Sequence, residues 1–307
     1  MEDVVNTTMN YYLDPCKGGQ KHCTFGTVGV LRRKFDNHSI QVQDVRGRED
    51  EFDIHTHAFQ LGRWRPSTDS LLEGDIKETI YREAEEYVKQ VRRSSTNATR
   101  VQCFSHLIRQ NTYEQTLEDL RRLEAAKGRA NVKDTDGISK TIPARYAHVD
   151  QSAKGARSLL DKNLPLYEAD RLTRTRWGTV NLWRPIRPVV RDPLGFCDGR
   201  SLRDEDLVPV DTLPPPKGTS RFYHSVAKGD GFQVYEARYS PRHEWYYCSD
   251  MGPDEALVFK VYDTKNSSLS RCCHSAFNVP GTANAPPRES MEMRFFVFYE
   301  DEPLEGF

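Results

Sequence analysis

The stretch Ala144–Ala153, ARYAHVDQSA, sets a histidine and an aspartate, His148 and Asp150, two residues apart in a segment that otherwise looks like a strand edge. In an extended chain residues i and i+2 project to the same face. An imidazole and a carboxylate then stand side by side, either as a polar edge turned to water or as two ligands of a metal ion. In a chain with nine histidines one such triplet is expected by chance about as often as not. The choice therefore needs a third ligand from a distant strand, and His274, in the β-like run RCCHSAF, is the best candidate.

Two histidines and one carboxylate on one face of a metal leave the opposite positions open, the facial arrangement suited to non-haem Fe(II). A closed four-ligand set serves structural zinc instead. Beyond His274, the run NAPPRESMEMRFFVFYE carries Arg288 and Ser290, again at i, i+2, at the mouth of an alternating strand. An arginine fork with a hydroxyl is a receptor for a small carboxylate. Arg294 has the same strand parity and competes for that role.

Around these residues the pattern is mainly β with helices. Residues 1–30 read as an arm with little periodicity, and Gly26–Phe52 alternates as short strands do. Ser70–Arg93 has helical spacing, with Leu72, Ile76, Ile80, Ala84 and Val88 near one face. A second helix is expected from Thr112 to Ala126, ending at a turn containing Gly128. After Ala130 come short runs separated by Pro, Gly and Asp turns: TVNLWRPI, GFQVYEARY, EALVFKVYDT and others. These predict a sandwich or barrel rather than a βαβ sheet. The division expected is a helical N-terminal cap over 1–130 and a β core over 131–307, packed as one unit. DTLPPPKGT, Asp211–Thr219, reads as a stiff loop.

A net charge of −1 and no clustered basic-aromatic surface argue against nucleic-acid binding. No apolar run is long enough to span a membrane, and the N-terminus lacks a signal peptide's basic start and apolar centre. Seven scattered cysteines do not form a secreted disulfide framework, so a reducing, cytoplasmic location is expected.

The order H-x-D, distant His, R-x-S resembles that of Fe(II)- and 2-oxoglutarate-dependent oxygenases with a double-stranded β-helix, or jelly-roll, core. More closely, NLWRPI, RDPLGFCD, HEWYYCSDMGPDEALVFKVYD and PRESMEMR are similar to blocks of a fungal family of cephem-methoxylase-like and gibberellin desaturase-like proteins of natural-product biosynthesis. The resemblance covers most of residues 26–300. It implies that His148, Asp150 and His274 bind iron, and that Arg288 with Ser290 holds the distal carboxylate of 2-oxoglutarate. The longer connection NVPGTANAPP keeps Arg294 in contention, and Arg184 in NLWRPI is a weaker candidate for co-substrate or substrate. The implied reaction consumes dioxygen and 2-oxoglutarate and hydroxylates, desaturates or cyclises a small molecule.

Three other readings compete. A cupin-type dioxygenase or isomerase would work without 2-oxoglutarate, but such sites often use more histidines and have no need of Arg288. A related variant keeps the iron and performs a redox-neutral rearrangement. A non-catalytic jelly roll should have lost part of this residue set. Cys272–Cys273–His274, with Cys248, has the wrong spacing for zinc. His55 and His57 form a second i, i+2 pair without an acidic partner and read as packing or substrate-side residues. The N-terminal cap, a loop over Gln151–Leu164 and the region Arg221–Tyr239 are expected to wall the pocket. A homodimer with caps exchanging contacts is an option for assembly.

Overall fold

A computed structural model describes residues 4–93, 98–138, 141–214, 230–265 and 268–304. The strands build two sheets. The larger contains β1 (Val4–Tyr11), β2 (His22–Thr24), β3 (Asp36–Asp44), β6 (His148–Val149), β8 (Leu194–Cys197), β9 (Leu207–Leu213), β10 (Phe232–Ala237), β11 (Trp245–Tyr247) and β13 (His274–Ala276). Its order is β1-β3-β11-β8-β13-β6-β10-β9-β2. The smaller contains β4 (Phe59–Arg63), β5 (Arg100–Arg109), β7 (Thr175–Pro185), β12 (Glu255–Asp263) and β14 (Ser290–Pro303), in the order β4-β12-β7-β14-β5.

Side chains from both sheets share one core, in which Val42, Phe196 and Trp245 of the larger meet Phe59, Trp183 and Phe259 of the smaller. This is the expected mainly β, jelly-roll architecture. The alternation of β14 explains its place between two layers. Met291, Met293 and Phe295 face a helix-covered apolar cluster, whereas Ser290, Glu292 and Arg294 lie on the opposite face of the strand.

The chain before residue 131 contributes strands to both sheets. β1 and β2 are the edges of the larger sheet and β4 and β5 the edges of the smaller. The supposed N-terminal arm includes β1, paired along its whole length with β3. The helices α1 (Val28–Arg32) and α4 (Tyr113–Lys127) share an apolar cluster with Val132 and Ile138. The second helix starts as expected, with Thr112 and Gln115 forming a capping box.

The helical pattern from Ser70 resolves into α2 (Glu73–Asp75), a π-helical turn Ile76–Ile80 and α3 (Tyr81–Arg93). Ile76, Ile80, Ala84 and Val88 cover the smaller sheet as the spacing predicts. Leu72 does not, because it precedes the first helical turn, and it is 71% exposed.

Gln151–Leu164, expected as a loop, is mostly α5 (Ala153–Asn163), followed by α6 (Leu166–Leu172). Ser152 caps α5 by accepting from the Gly155 N–H at 3.0 Å, and its own N–H donates to the Gln233 carbonyl of β10. The helix sits so close to β10 that a Cβ at Gly155 would lie 1.9 Å from that same carbonyl oxygen. Of the expected stiff loop, Asp211–Leu213 belongs to β9, and residues 215–219 lie outside the described residues, as do 221–229 of the expected pocket wall.

Gly155→Ala should therefore cost about 1–3 kcal/mol of stability through overpacking. A urea midpoint equal to that of the wild type would show that the helix can move off β10 freely.

Candidate metal centre and its cavity

His148 and His274 are direct cross-strand partners, on β6 and β13. Opposed residues of an antiparallel pair project to one side of the sheet, and the two rings lie 4.4 Å apart between centroids. Each ring is oriented in the same way. Nδ1 of His148 lies 2.8 Å from the Tyr146 carbonyl, and Nδ1 of His274 lies 3.2 Å from the Cys272 carbonyl. A carbonyl only accepts, so both Nδ1 atoms carry the proton and both Nε2 atoms present lone pairs.

Asp150 follows β6 immediately, before the capped start of α5. The adjoining Gln151 accepts from the Thr179 hydroxyl at 2.9 Å, which ties the junction to β7. Asp150 Oδ1 stands 3.4 Å from His148 Nε2 and 3.7 Å from His274 Nε2. One ligand atom from each of the three residues falls within 4.8 Å of the others. His274 Nε2 is buried without a hydrogen-bond partner. Two imidazole lone pairs and a carboxylate oxygen converging in a buried site repel one another unless a cation lies among them. The donor set, two nitrogens and one oxygen with an open side, suits Fe(II), and the Nδ1–carbonyl bonds supply the outer support usual for metal-bound histidines.

The other oxygen of Asp150 is held from the smaller sheet. Oδ2 accepts from Asn181 Nδ2 at 2.8 Å and from Arg294 Nε at 3.0 Å. Burial raises the pKa of Asp150, but the Arg294 charge together with the contacts from His148 and His274 holds the carboxyl well below its usual range. Arg294 also donates to Glu292. Its guanidinium therefore already serves two carboxylates.

Arg288 is different. It is buried, its Nη1 donates to the Asp192 carbonyl at 2.7 Å, and its Nε has no partner. No carboxylate pairs with it among the described residues. Burial, and after it the charge of Arg109, pushes its pKa down to about 9. The guanidinium lies over the Trp183 ring at 5.5 Å. Ser290 Oγ is likewise buried and unpartnered. Here is a desolvated cation beside a free hydroxyl, the electrostatic complement of a small carboxylate. Arg184, the weaker candidate, is separated from this group. It lies on the opposite face of β7, where it donates to the Pro253 carbonyl and lies over Trp64 in a side cavity near Asp69 and Ile80. Strand parity accounts for this, since residue 184 is an odd step from Asn181.

A cavity of about 380 Å³ opens onto the cluster, with His148, Asp150 and Arg294 in its wall. Much of the lining is apolar and comes from the N-terminal half, including Phe25, Leu31, Phe35, Leu107 and Tyr113. The N-terminal region thus lines the cavity as expected, and from the other two expected wall segments Gln151, Asp230, Phe232 and Val234 take part among the described residues. Trp245, Tyr246 and Tyr247 are core residues and do not line it. A pair that sequence reasoning missed is Arg33–Glu236, a buried bidentate contact at 2.7 and 2.9 Å beside His148. Two hundred residues of separation left no local signal of it.

The rival clusters do not offer a vacant site. Cys272 and Cys273 are buried in the core, with Cys272 Sγ donating to the Cys197 carbonyl. Cys248 lies near Glu49 and Glu255, but Arg46 bridges those two carboxylates. His57 packs among Phe52 and Phe59, and neither it nor His55 joins a donor cluster among the described residues.

A family model described as an oxidoreductase/YMDC permease-like domain matches residues 9–298. The chain is 37% identical over 303 residues to the hydroxylase/desaturase EfuI of Hormonema carpetanum, covering 98% of this chain and 97% of that protein. It is 35% identical to the hydroxylase/desaturase CTB9 of Cercospora beticola, over 96% and 87% of the two chains. A solved structure of the iron and alpha-ketoglutarate-dependent endoperoxidase NvfI superposes with a TM-score of 0.75 at 26% identity, covering 97% of this chain and 99% of that one. No described helix is long and apolar enough to cross a membrane. The chain belongs to this family of fungal hydroxylases, desaturases and Fe(II)/2-oxoglutarate-dependent dioxygenases.

Proposed function

We propose that the protein is an Fe(II)- and 2-oxoglutarate-dependent oxygenase that oxidises a small natural-product intermediate by hydroxylation, desaturation or ring formation. His148, Asp150 and His274 hold the iron, and Arg288 with Ser290 receives the distal carboxylate of 2-oxoglutarate. The observation that carries this reading is the pairing of two complementary deficits. Three converging donor atoms lack a cation, and a buried guanidinium lacks an anion. Iron and 2-oxoglutarate, when bound, supply oxidative decarboxylation by dioxygen coupled to oxidation of a substrate C–H bond.

The chain's own share is positional. The Tyr146 and Cys272 carbonyls fix both imidazoles in the ligating tautomer. Asn181 and Arg294 keep Asp150 ionised and leave one of its oxygens turned to the histidines. The apolar cavity wall excludes water from the side on which substrate enters. A metal enzyme acting without 2-oxoglutarate would leave Arg288 buried with nothing to neutralise it.

One chain supplies all of these groups. The seven cysteines are all unpaired, which favours the reducing cytoplasm as its location.

Anaerobic titration with Fe(II) and then 2-oxoglutarate should produce the visible charge-transfer band of the chelate in the wild type and none in His148→Ala. Wild-type protein that binds no iron would sink the proposal. Iron bound without a band would indicate chemistry that does not use 2-oxoglutarate.

The two arginines separate by readout. Arg288→Ala should retain iron and weaken 2-oxoglutarate by roughly tenfold or more, the scale of a lost charged hydrogen bond. Arg294→Met should impair iron binding itself, because it frees Asp150. The reverse pattern would exchange their roles.

A further inference from the structure

The cavity wall contains four arginines, Arg33, Arg109, Arg145 and Arg294, and three are already neutralised. Arg33 is held by Glu236. Arg145 is held by Asp192 at 2.6 Å and more loosely by Glu114. Arg294 is held by Asp150 and Glu292. Arg109 alone among them has no carboxylate partner among the described residues. Its Nη1 donates to the Ile142 carbonyl at 2.6 Å, which leaves most of the five donors of its guanidinium uncommitted.

Among the described residues, the acids of the cavity wall are committed elsewhere. Asp230, at the cavity wall, pairs with Lys162. Arg109 is thus a half-buried cation among walls such as Phe25, Leu31 and Tyr113, where water screens a charge poorly.

We infer that Arg109 reads an acidic group on the substrate, and that the substrate is a largely apolar small molecule carrying a carboxylate. This rests on the assignment of the cavity to substrate in the proposed oxygenase. The strand register gives the orientation. On β5, Arg109 pairs with Ser290 and Ser105 pairs with Arg294, so the two levels lie roughly 14 Å apart along the strand. Arg109 therefore holds the acidic end away from the metal cluster and leaves the apolar end to be oxidised. Arg109 is a specificity-determining residue with no part in metal ligation.

The test uses 1-naphthoate and its uncharged counterpart 1-naphthamide, titrated calorimetrically into anaerobic protein carrying Fe(II) and 2-oxoglutarate. The wild type should bind the acid at least about tenfold more tightly than the amide. Arg109→Met should lose that preference, with its amide affinity unchanged. Arg109→Lys, which keeps the charge without the fork, should restore part of the preference. Equal binding of acid and amide by the wild type would overturn the inference. So would an Arg109→Met protein that loses 2-oxoglutarate while still preferring naphthoate, since Arg109 would then serve the co-substrate. If the wild type forms no iron chelate, the oxygenase reading fails by itself. The naphthoate comparison between unloaded wild-type and Arg109→Met proteins then still decides what Arg109 does.

Discussion

A carboxylate taken out of water must be compensated by charge and hydrogen bonds, and the compensation of Asp150 comes from across the core. Asp150 itself follows a strand of the larger sheet, whereas Asn181 and Arg294, which hold its Oδ2, stand on neighbouring strands of the smaller one. One buried interaction therefore sets the separation of the sheets at the cluster and the rotation of the carboxylate at the same time. The oxygen that remains free faces both histidines because the other cannot turn away. The convergence of the three donor atoms is a consequence of how the two sheets are joined.

The same interaction explains why two arginines six residues apart on one strand line do different work. Ser290, Glu292 and Arg294 share one face of β14, and Arg288 precedes them. Arg294 is consumed by Asp150 and Glu292, so its charge is structural. Arg288 is left with a carbonyl from Asp192, a residue in the left-handed region at φ 51°. That backbone, which aspartate tolerates better than most residues, turns the carbonyl toward Arg288 and the carboxylate toward Arg145 and Arg191. The Asp192 side chain thereby satisfies neighbouring cations, and Arg288 retains its unmet charge.

The parts of this arrangement visible in the sequence were those with a short-range signature. His148–x–Asp150 and Arg288–x–Ser290 were legible because a period of two puts each pair on one face. The face of α3 was legible through its spacing. What was not legible depends on partners brought together only by the fold. The choice between Arg288 and Arg294 turns on Asp150, far away in sequence, and that on Arg184 turns on which face of β7 looks inward. The N-terminal arm looked irregular because β1, VVNTTMNY, is an edge strand rich in exposed or half-buried polar side chains, whose order comes from its pairing with β3. The helix after Asp150 was hidden for a related reason. Its glycine and polar residues weaken the local pattern, and its position is set by the cap at Ser152 and the approach to β10.

The division of roles along the chain follows from these constraints. The proposed iron ligands and the groups that hold them lie between residues 146 and 294, on or beside β6, β7, β13 and β14, where they are locked by cross-sheet bonds that tolerate little change. Most of the apolar cavity wall comes from the first half, where Phe25, Leu31, Phe35 and Tyr113 contribute surface rather than a fixed network. Volume-conserving changes at such positions are tolerated far more readily than loss of a buried ionic partner. Strand β5 links the two halves. Its Ser105 is registered with Arg294 beside the metal cluster, and its Arg109 with Ser290 at the far end of the same face. A rigid strand thus fixes the distance between the point of oxidation and the cation that would hold the substrate's acid, whatever apolar body lies between them.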